Sequence, residues 1–202
     1  MRPYGNASWG QMTYDPTKHH RRSIRLPAYD YAQAGAYFVT MVTRQRQCLF
    51  GEIVGGQMWL AAYGQVVSEQ WLRSALVRGE IDLHAFIVMP NHIHGIVIIR
   101  PPPMGVGAHG RAPLPSSPPY RPPRSLGSLV AGFKSAATKR INEIRGTLGL
   151  PVWQRNYYER VIRNDEELNR IRQYIADNPA HWEEDRENPN NVGPVCEPPE
   201  WW

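Results

Sequence analysis

The sequence predicts an α+β fold, and three observations carry that prediction. Segments of strand character alternate with segments of helical period in the order β-α-β-β-α-β-α. Two of the strand segments, IDLHAFIVM (81–89) and HIHGIVIIR (92–100), flank the turn signal Pro90-Asn91 and read as a hairpin. The first six elements match a ferredoxin-like, split βαβ arrangement, in which two helices cover one face of a four-stranded antiparallel sheet. The opposite sheet face is then open, and the added C-terminal helix is available to lie on it.

Each element has its own local warrant. Residues 1–20 are polar and aperiodic and are expected to be a flexible N-terminal segment. RRSIRLP (21–27) then places Arg21, Arg22 and Arg25 close together. AYFVTMVT (36–43) is rich in aromatic and β-branched residues and reads as the first strand. Gly51 to Gly56 mark a turn region. Residues 63–76 carry Val66, Val67, Trp71, Leu72 and Leu76 at helical spacing. Residues 101–124 hold nine of the nineteen prolines and form an insertion with no means of building a packed core. Residues 124–144 read as a basic amphipathic helix, and 152–162 as the fourth strand. The helix over 164–179 has Asn164 as cap, Glu167 three residues on, acids in its first turn and Pro179 at its end. The expected organisation is therefore one domain over 21–182 with an acidic tail over 183–202.

Composition narrows the function. The chain has 202 residues, 42% of them hydrophobic, enough for a sizeable core. No apolar run reaches the roughly 18 residues that span a bilayer, and MRPYGNASWGQM lacks a signal-peptide stretch. Cys48 and Cys196 lie far apart without metal-type spacing, so a reducing, cytoplasmic setting is expected. The net charge is +5, but six acids and one arginine lie from Glu183 onward. The body before that point carries 22 basic against 12 acidic residues, which points to a polyanionic partner such as nucleic acid.

The residues that suggest chemistry are few. His92 and His94 are i and i+2 on a strand, so they project from one face side by side. Tyr174 and Asn178 are i and i+4 on the last helix, neighbours at the edge of the face formed by Leu168, Ile171 and Ile175. If that helix lies on the open sheet face, it brings both to the histidines. Two imidazoles and an amide oxygen make a mixed N/O set suited to Mg²⁺, Mn²⁺ or a transition ion. The histidine pair alone is equally compatible with a structural role. Trp153, Tyr157 and Tyr158 suit either base stacking or core packing.

RRSIRLPAYDY, YFVTMVTRQRQCLFG, FIVMPNHIHGIV, GSLVAGFKSAATKRIN, WQRNYYERVIRNDEEL and YIADNPAHW together resemble the REP-associated tyrosine transposases, bacterial relatives of single-tyrosine HUH transposases. The resemblance runs from about Arg21 to Trp182. It implies that His92 and His94 are metal ligands in the family's His-apolar-His motif, that Tyr174 is the nucleophile, and that Asn178 is the third ligand. It further implies a Mg²⁺- or Mn²⁺-dependent endonuclease and strand transferase acting on single-stranded DNA that folds into REP-type palindromic hairpins, through a 5′-phosphotyrosine. A monomer with the tyrosine acting in cis is implied, although insertion-sequence relatives are dimers. The DNA-binding candidates are Arg21, Arg22, Arg25, Lys134, Lys139, Arg140, Arg155 and Arg163. A non-catalytic hairpin-binding protein and a small-substrate metallohydrolase are the competing readings.

Overall fold

A computed structural model describes residues 32–101 and 124–191. The expectations for residues 1–20, for Arg21, Arg22 and Arg25, and for nearly all of the Pro-rich insertion lie outside the described residues. In chain order the elements are β1 (Gly35–Val42), β2 (Gly51–Val54), β3 (Gln57–Leu60), α1 (Ala62–Val77), β4 (Ile81–Val88), β5 (His92–Ile99), α2 (Leu126–Ile144), β6 (Tyr158–Ile162) and α3 (Asp165–Asp177). Short 3-10 turns follow β1 (Arg44–Arg46) and α3 (Asn178–Glu184).

The four long strands form one antiparallel sheet in the order β4-β5-β1-β6. This is the split βαβ sheet that the element order predicts. Strand alternation then sorts the side chains into two layers. Tyr37, Val39 and Met41 of β1 and Ile93, Val97 and Ile99 of β5 face α1 and α2, where they meet Trp71, Leu129, Phe133 and Ile141. Phe38 of β1 and Ile96 of β5 face the other way and pack on Ile171 and Ile175 of α3. Two helices thus cover one face and the C-terminal helix covers the other.

Two contacts fix these layers. Trp71 of α1 lies directly on the backbone of β5. A Cβ built on Gly95 would stand 2.5 Å from Cζ2 of Trp71, so the ring occupies the space that a side chain would need. At the start of α3, the Asn164 side chain accepts from the Glu167 N–H at 2.8 Å. The Glu167 carboxylate reaches back to the Arg163 N–H at 2.9 Å and to Arg160 Nε at 2.6 Å. This is a capping box displaced by one residue, and it ties the entry of α3 to β6.

Three sequence expectations differ in detail. The region expected as a turn over Gly51 to Gly56 is a hairpin, with β2 and β3 joined through Gly55 and Gly56, both at positive φ. Strands of four residues are too short to show alternation, so only their turn is legible. The fourth strand begins at Tyr158 rather than 152; Trp153 makes only an isolated bridge to Thr43. Between them Lys134 Nζ donates to the carbonyls of Gln154 and Asn156, at 3.0 and 2.8 Å, which removes those groups from strand pairing. In α1, Val66, Val67 and Trp71 are buried, while Leu72 and Leu76 are 52% and 86% exposed.

The chain after α3 stays on the fold. Glu187 pairs with Arg46 at 2.9 Å, and Asn188 Nδ2 donates to the Trp182 carbonyl at 3.0 Å. Residues from 192 onward lie outside the described part.

Candidate metal centre and its tyrosine

Strand period places His92 and His94 on the α3 face of β5, in the middle of the sheet. Both are buried, at 0% and 1% exposure. Their Nε2 atoms stand 3.0 Å apart. Each ring is held at its other nitrogen: His92 Nδ1 lies 2.9 Å from Asn91 Oδ1, and His94 Nδ1 lies 2.8 Å from Thr40 Oγ1 on β1. Phe38 stacks on His94 with ring centres 5.3 Å apart. Burial pulls the His92 imidazolium down to about 4, with the Arg186 charge adding to the effect and Glu187 and Asn178 opposing it. His94 is pulled well below its ordinary value by burial, then by His92 and Arg186. Both rings are therefore neutral at pH 7, the form that binds metal.

Helix α3 brings Tyr174 to the pair. Its hydroxyl lies 3.3 Å from His94 Nε2, and its ring meets Phe38 and His94 edge to face. Burial raises the Tyr174 pKa, and the Asp185 charge raises it further, although Asn178 and Arg186 act in the opposite sense. Asn178, at the end of α3, is 4% exposed and interacts with His92, Tyr174 and Asp185 together. Its Oδ1 is buried and accepts no hydrogen bond of good geometry among the described residues.

The structure adds a residue that the spacing did not mark. Asp185 counted in the sequence only as one acid of the tail. The 3-10 turn over Asn178–Glu184 folds the chain back, and Asp185 Oδ2 reaches 3.7 Å from His92 Nε2. With a neutral histidine that contact is not an ion pair. Burial raises the Asp185 pKa, opposed chiefly by the Glu187 N–H that donates to it at 2.6 Å. Ligand atoms of His92, His94 and Asp185 all lie within 4.8 Å of one another.

This donor set fits a divalent cation. Two imidazole nitrogens each about 2.1 Å from one ion at a right angle would stand about 3.0 Å apart, as these do. The buried Asn178 oxygen has no hydrogen-bond partner among the described residues, and a neighbouring carboxylate supplies negative charge. Nitrogen and oxygen donors without thiolate suit Mg²⁺, Mn²⁺ or a borderline transition ion.

Comparison with known proteins bears on the whole fold. No family model matches the chain. An uncharacterized protein of Haemophilus influenzae is 36% identical over 182 residues, covering 86% of this chain and 96% of that protein. A solved structure of a REP-associated tyrosine transposase bound to a REP hairpin superposes with a TM-score of 0.50. Its sequence is 18% identical, and the match covers 78% of this chain and 74% of that one. The chain belongs to one family with the Haemophilus protein and has the fold of a REP-associated tyrosine transposase.

Within this transposase fold the basic candidates are spread over two faces. Lys139 and Arg140 are exposed on α2, across the sheet from Tyr174, and Arg140 pairs with Glu143 at 3.0 Å. Lys134 holds the Gln154 and Asn156 carbonyls and lies 5.7 Å from the centre of the Tyr157 ring. Lys139 and Arg155 line one groove with Trp153 and Leu148. Arg163 is exposed at the start of α3, three turns from Tyr174. Among the aromatic candidates, Trp153 is buried against Phe50 and Phe133. Tyr158 faces the α3 layer, edge-on to Phe38. Arg186 was not singled out from the sequence, yet its charge acts on both histidines, on Tyr174 and on Tyr158. No helix among the described residues is long and apolar enough to cross a membrane.

Proposed function

We propose that this chain is a metal-dependent, single-stranded DNA endonuclease and strand transferase that acts on hairpin-forming REP-type palindromes. The observation that carries the reading is the convergence of a half-buried tyrosine hydroxyl on two neutral histidines, 3.3 Å from His94 Nε2, with a buried amide oxygen beside them that has no hydrogen-bond partner among the described residues. A metal alone is served by the histidines, Asn178 and Asp185; a small-substrate hydrolase has no use for Tyr174 in that place. The transposase fold and the basic body support DNA as the substrate. Within this chain α3 reaches its own histidines, the geometry that action in cis requires.

The residues divide the work. His92, His94 and Asn178, with Asp185, would hold Mg²⁺ or Mn²⁺, which when bound would supply positive charge to polarise a phosphodiester and favour the phenolate. Tyr174 is the nucleophile. Its oxygen forms a bond to the scissile phosphorus, the bond from phosphorus to the 3′-oxygen breaks, and the 5′-phosphate stays on the tyrosine. The proton that the tyrosine gives up is matched by the one that the departing 3′-oxygen takes. Phe38 packs edge-on against the Tyr174 ring and helps to fix its position beside His94. Arg186, close to both tyrosine and histidines, offers a guanidinium to the phosphate oxygens.

The test is a denaturing gel of end-labelled hairpin DNA incubated with protein and Mn²⁺, followed by peptide mapping. Wild type forms an adduct carrying the 5′-phosphate side at Tyr174. Tyr174→Phe, which removes one oxygen, keeps DNA binding and loses the adduct, whereas Tyr157→Phe and Tyr158→Phe retain it. An adduct that persists in Tyr174→Phe, or that maps to residues 157–158, overturns the assignment. Hairpin binding with no adduct under any metal would favour the non-catalytic reading.

A further inference from the structure

Asn91, the residue just before the histidine pair, is fully buried, and every polar atom of its side chain is committed. Its Nδ2 donates to the Arg46 carbonyl at 3.0 Å and to the Glu187 carbonyl at 2.6 Å. Two carbonyls can only accept, so the orientation of the amide is settled: reversed, its oxygen would face two other oxygens. Oδ1 is therefore the atom 2.9 Å from His92 Nδ1. An amide oxygen can only accept, so the proton of that hydrogen bond sits on His92 Nδ1. A neutral imidazole carries one N–H, which leaves the His92 Nε2 lone pair facing into the site.

His94 is held differently. Its Nδ1 partner is the hydroxyl of Thr40 at 2.8 Å, which can donate or accept by rotation. The Nε2 atoms of the two rings are 3.0 Å apart, a contact that without an ion needs one proton between them. His92 cannot supply it, so without an ion His94 does, with the Tyr174 hydroxyl 3.3 Å from the same Nε2 as a second acceptor, and Thr40 then donates to His94 Nδ1.

We infer that Asn91 is a positioning residue that fixes the Nδ1–H tautomer of His92, so that Nε2 is ready for an ion at all times, while Thr40 serves both tautomers of His94. This rests on the reading of the two histidines as metal ligands. When an ion binds, the proton on His94 Nε2 leaves, one proton is taken up at His94 Nδ1, and Thr40 turns to accept it. The ring stays neutral and no net proton is released. Asn91 also joins three segments: the turn at Arg44–Arg46, β5, and the stretch following Asp185. The Arg46 carbonyl that it holds belongs to a turn with two left-handed non-glycine residues, Gln45 and Arg46. Such a turn persists only when anchored.

The experiment is nitrogen NMR of imidazole-labelled protein, first treated with chelator and then titrated with Zn²⁺ as a diamagnetic probe. His92 should show Nδ1–H in both states, and His94 should change from Nε2–H to Nδ1–H. Finding His92 protonated on Nε2 in the metal-free protein overturns the inference, with no variant needed. Calorimetry with Mn²⁺ adds a second reading. Asn91→Ala should lower affinity about 10- to 100-fold. Asn91→Asp keeps the acceptor for His92 Nδ1 but sets an oxygen against the Arg46 and Glu187 carbonyls, so its fold should be weakened while the affinity of the folded protein falls less than in Asn91→Ala. Equal loss in two folded variants would mean that Asn91 only braces the chain, and would overturn the positioning role. Expected tautomers with no DNA adduct would sink the proposed function alone; an adduct formed with the wrong His92 tautomer would sink this inference alone.

Discussion

Two imidazoles kept dry in a sheet are a thermodynamic liability unless something uses them. In the metal-free protein each refuses a proton that the unfolded chain accepts near 6.5, and His92 refuses it down to about 4. The unfolded state therefore binds more protons in that window, and stability falls as pH drops from about 6.5 toward 4. At pH 5 the cost is on the order of 2 kcal/mol for His92, and His94 adds to it in the same direction. Asp185 acts in the opposite sense, since burial raises its pKa and the fold takes up that proton before the unfolded chain does. Two histidines against one carboxyl leave a net acid destabilisation. Urea unfolding of chelator-treated protein at pH 7 and pH 5 should show a lower midpoint at pH 5. A His92→Gln, His94→Gln double variant should lose most of the difference. Equal midpoints for wild type would contradict the burial argument. The same substitutions should abolish cleavage while hairpin affinity changes by only a few fold, because phosphate contacts supply most of that affinity. Wild-type cleavage by the double variant would remove the metal assignment.

At the scale of elements, β5 serves both sheet faces at once. Its even-numbered residues carry the site and its odd-numbered ones the larger core, with Gly95 left bare so that Trp71 can sit on the strand. Gly95→Ala would force Cβ into that ring and so push α1 away from the sheet. A loss of about 1–3 kcal/mol is expected, the usual range for overpacking a close contact. Thermal or urea unfolding measures it, and an unchanged midpoint would show that Trp71 can slide without cost. The long elements were legible because each spans enough turns or alternations to display its period. The β2–β3 hairpin was not, since four-residue strands show only their glycine turn. The start of β6 was not either, because the Lys134 ammonium, 20 and 22 residues away on no common period, draws off the Gln154 and Asn156 carbonyls.

At the scale of the whole molecule, the sheet separates the tyrosine from the basic helix. Tyr174 lies on one face, and Lys139 and Arg140 on the other. A strand of DNA that touches both must pass round an edge of the sheet. Binding of hairpin DNA should weaken steeply with salt as several cations release counterions. Lys139→Gln with Arg140→Gln should lower the slope of log affinity against log salt by about 1–2, while cleavage of saturating DNA stays near the wild-type rate. An unchanged slope would take α2 out of the DNA surface.

What the sequence determined by itself is whatever one period could express. His92 and His94 share a face because side chains alternate along a strand. Tyr174 and Asn178 are neighbours because they lie four residues apart on a helix. The α+β order, the antiparallel sheet and the added C-terminal helix follow from the same periodicities summed along the chain. Tertiary structure decided the rest. Asp185 reaches the histidines only because the chain turns back after α3. Asn91 sets its hydrogen bonds with carbonyls 45 and 96 residues away. Lys134 turned out to brace a loop, and Trp153 to fill the core. A contact between distant residues depends on where two backbones pass, and no local spacing encodes that. Only the packed sheet, with one helix closing its open face, brings those backbones within hydrogen-bond reach.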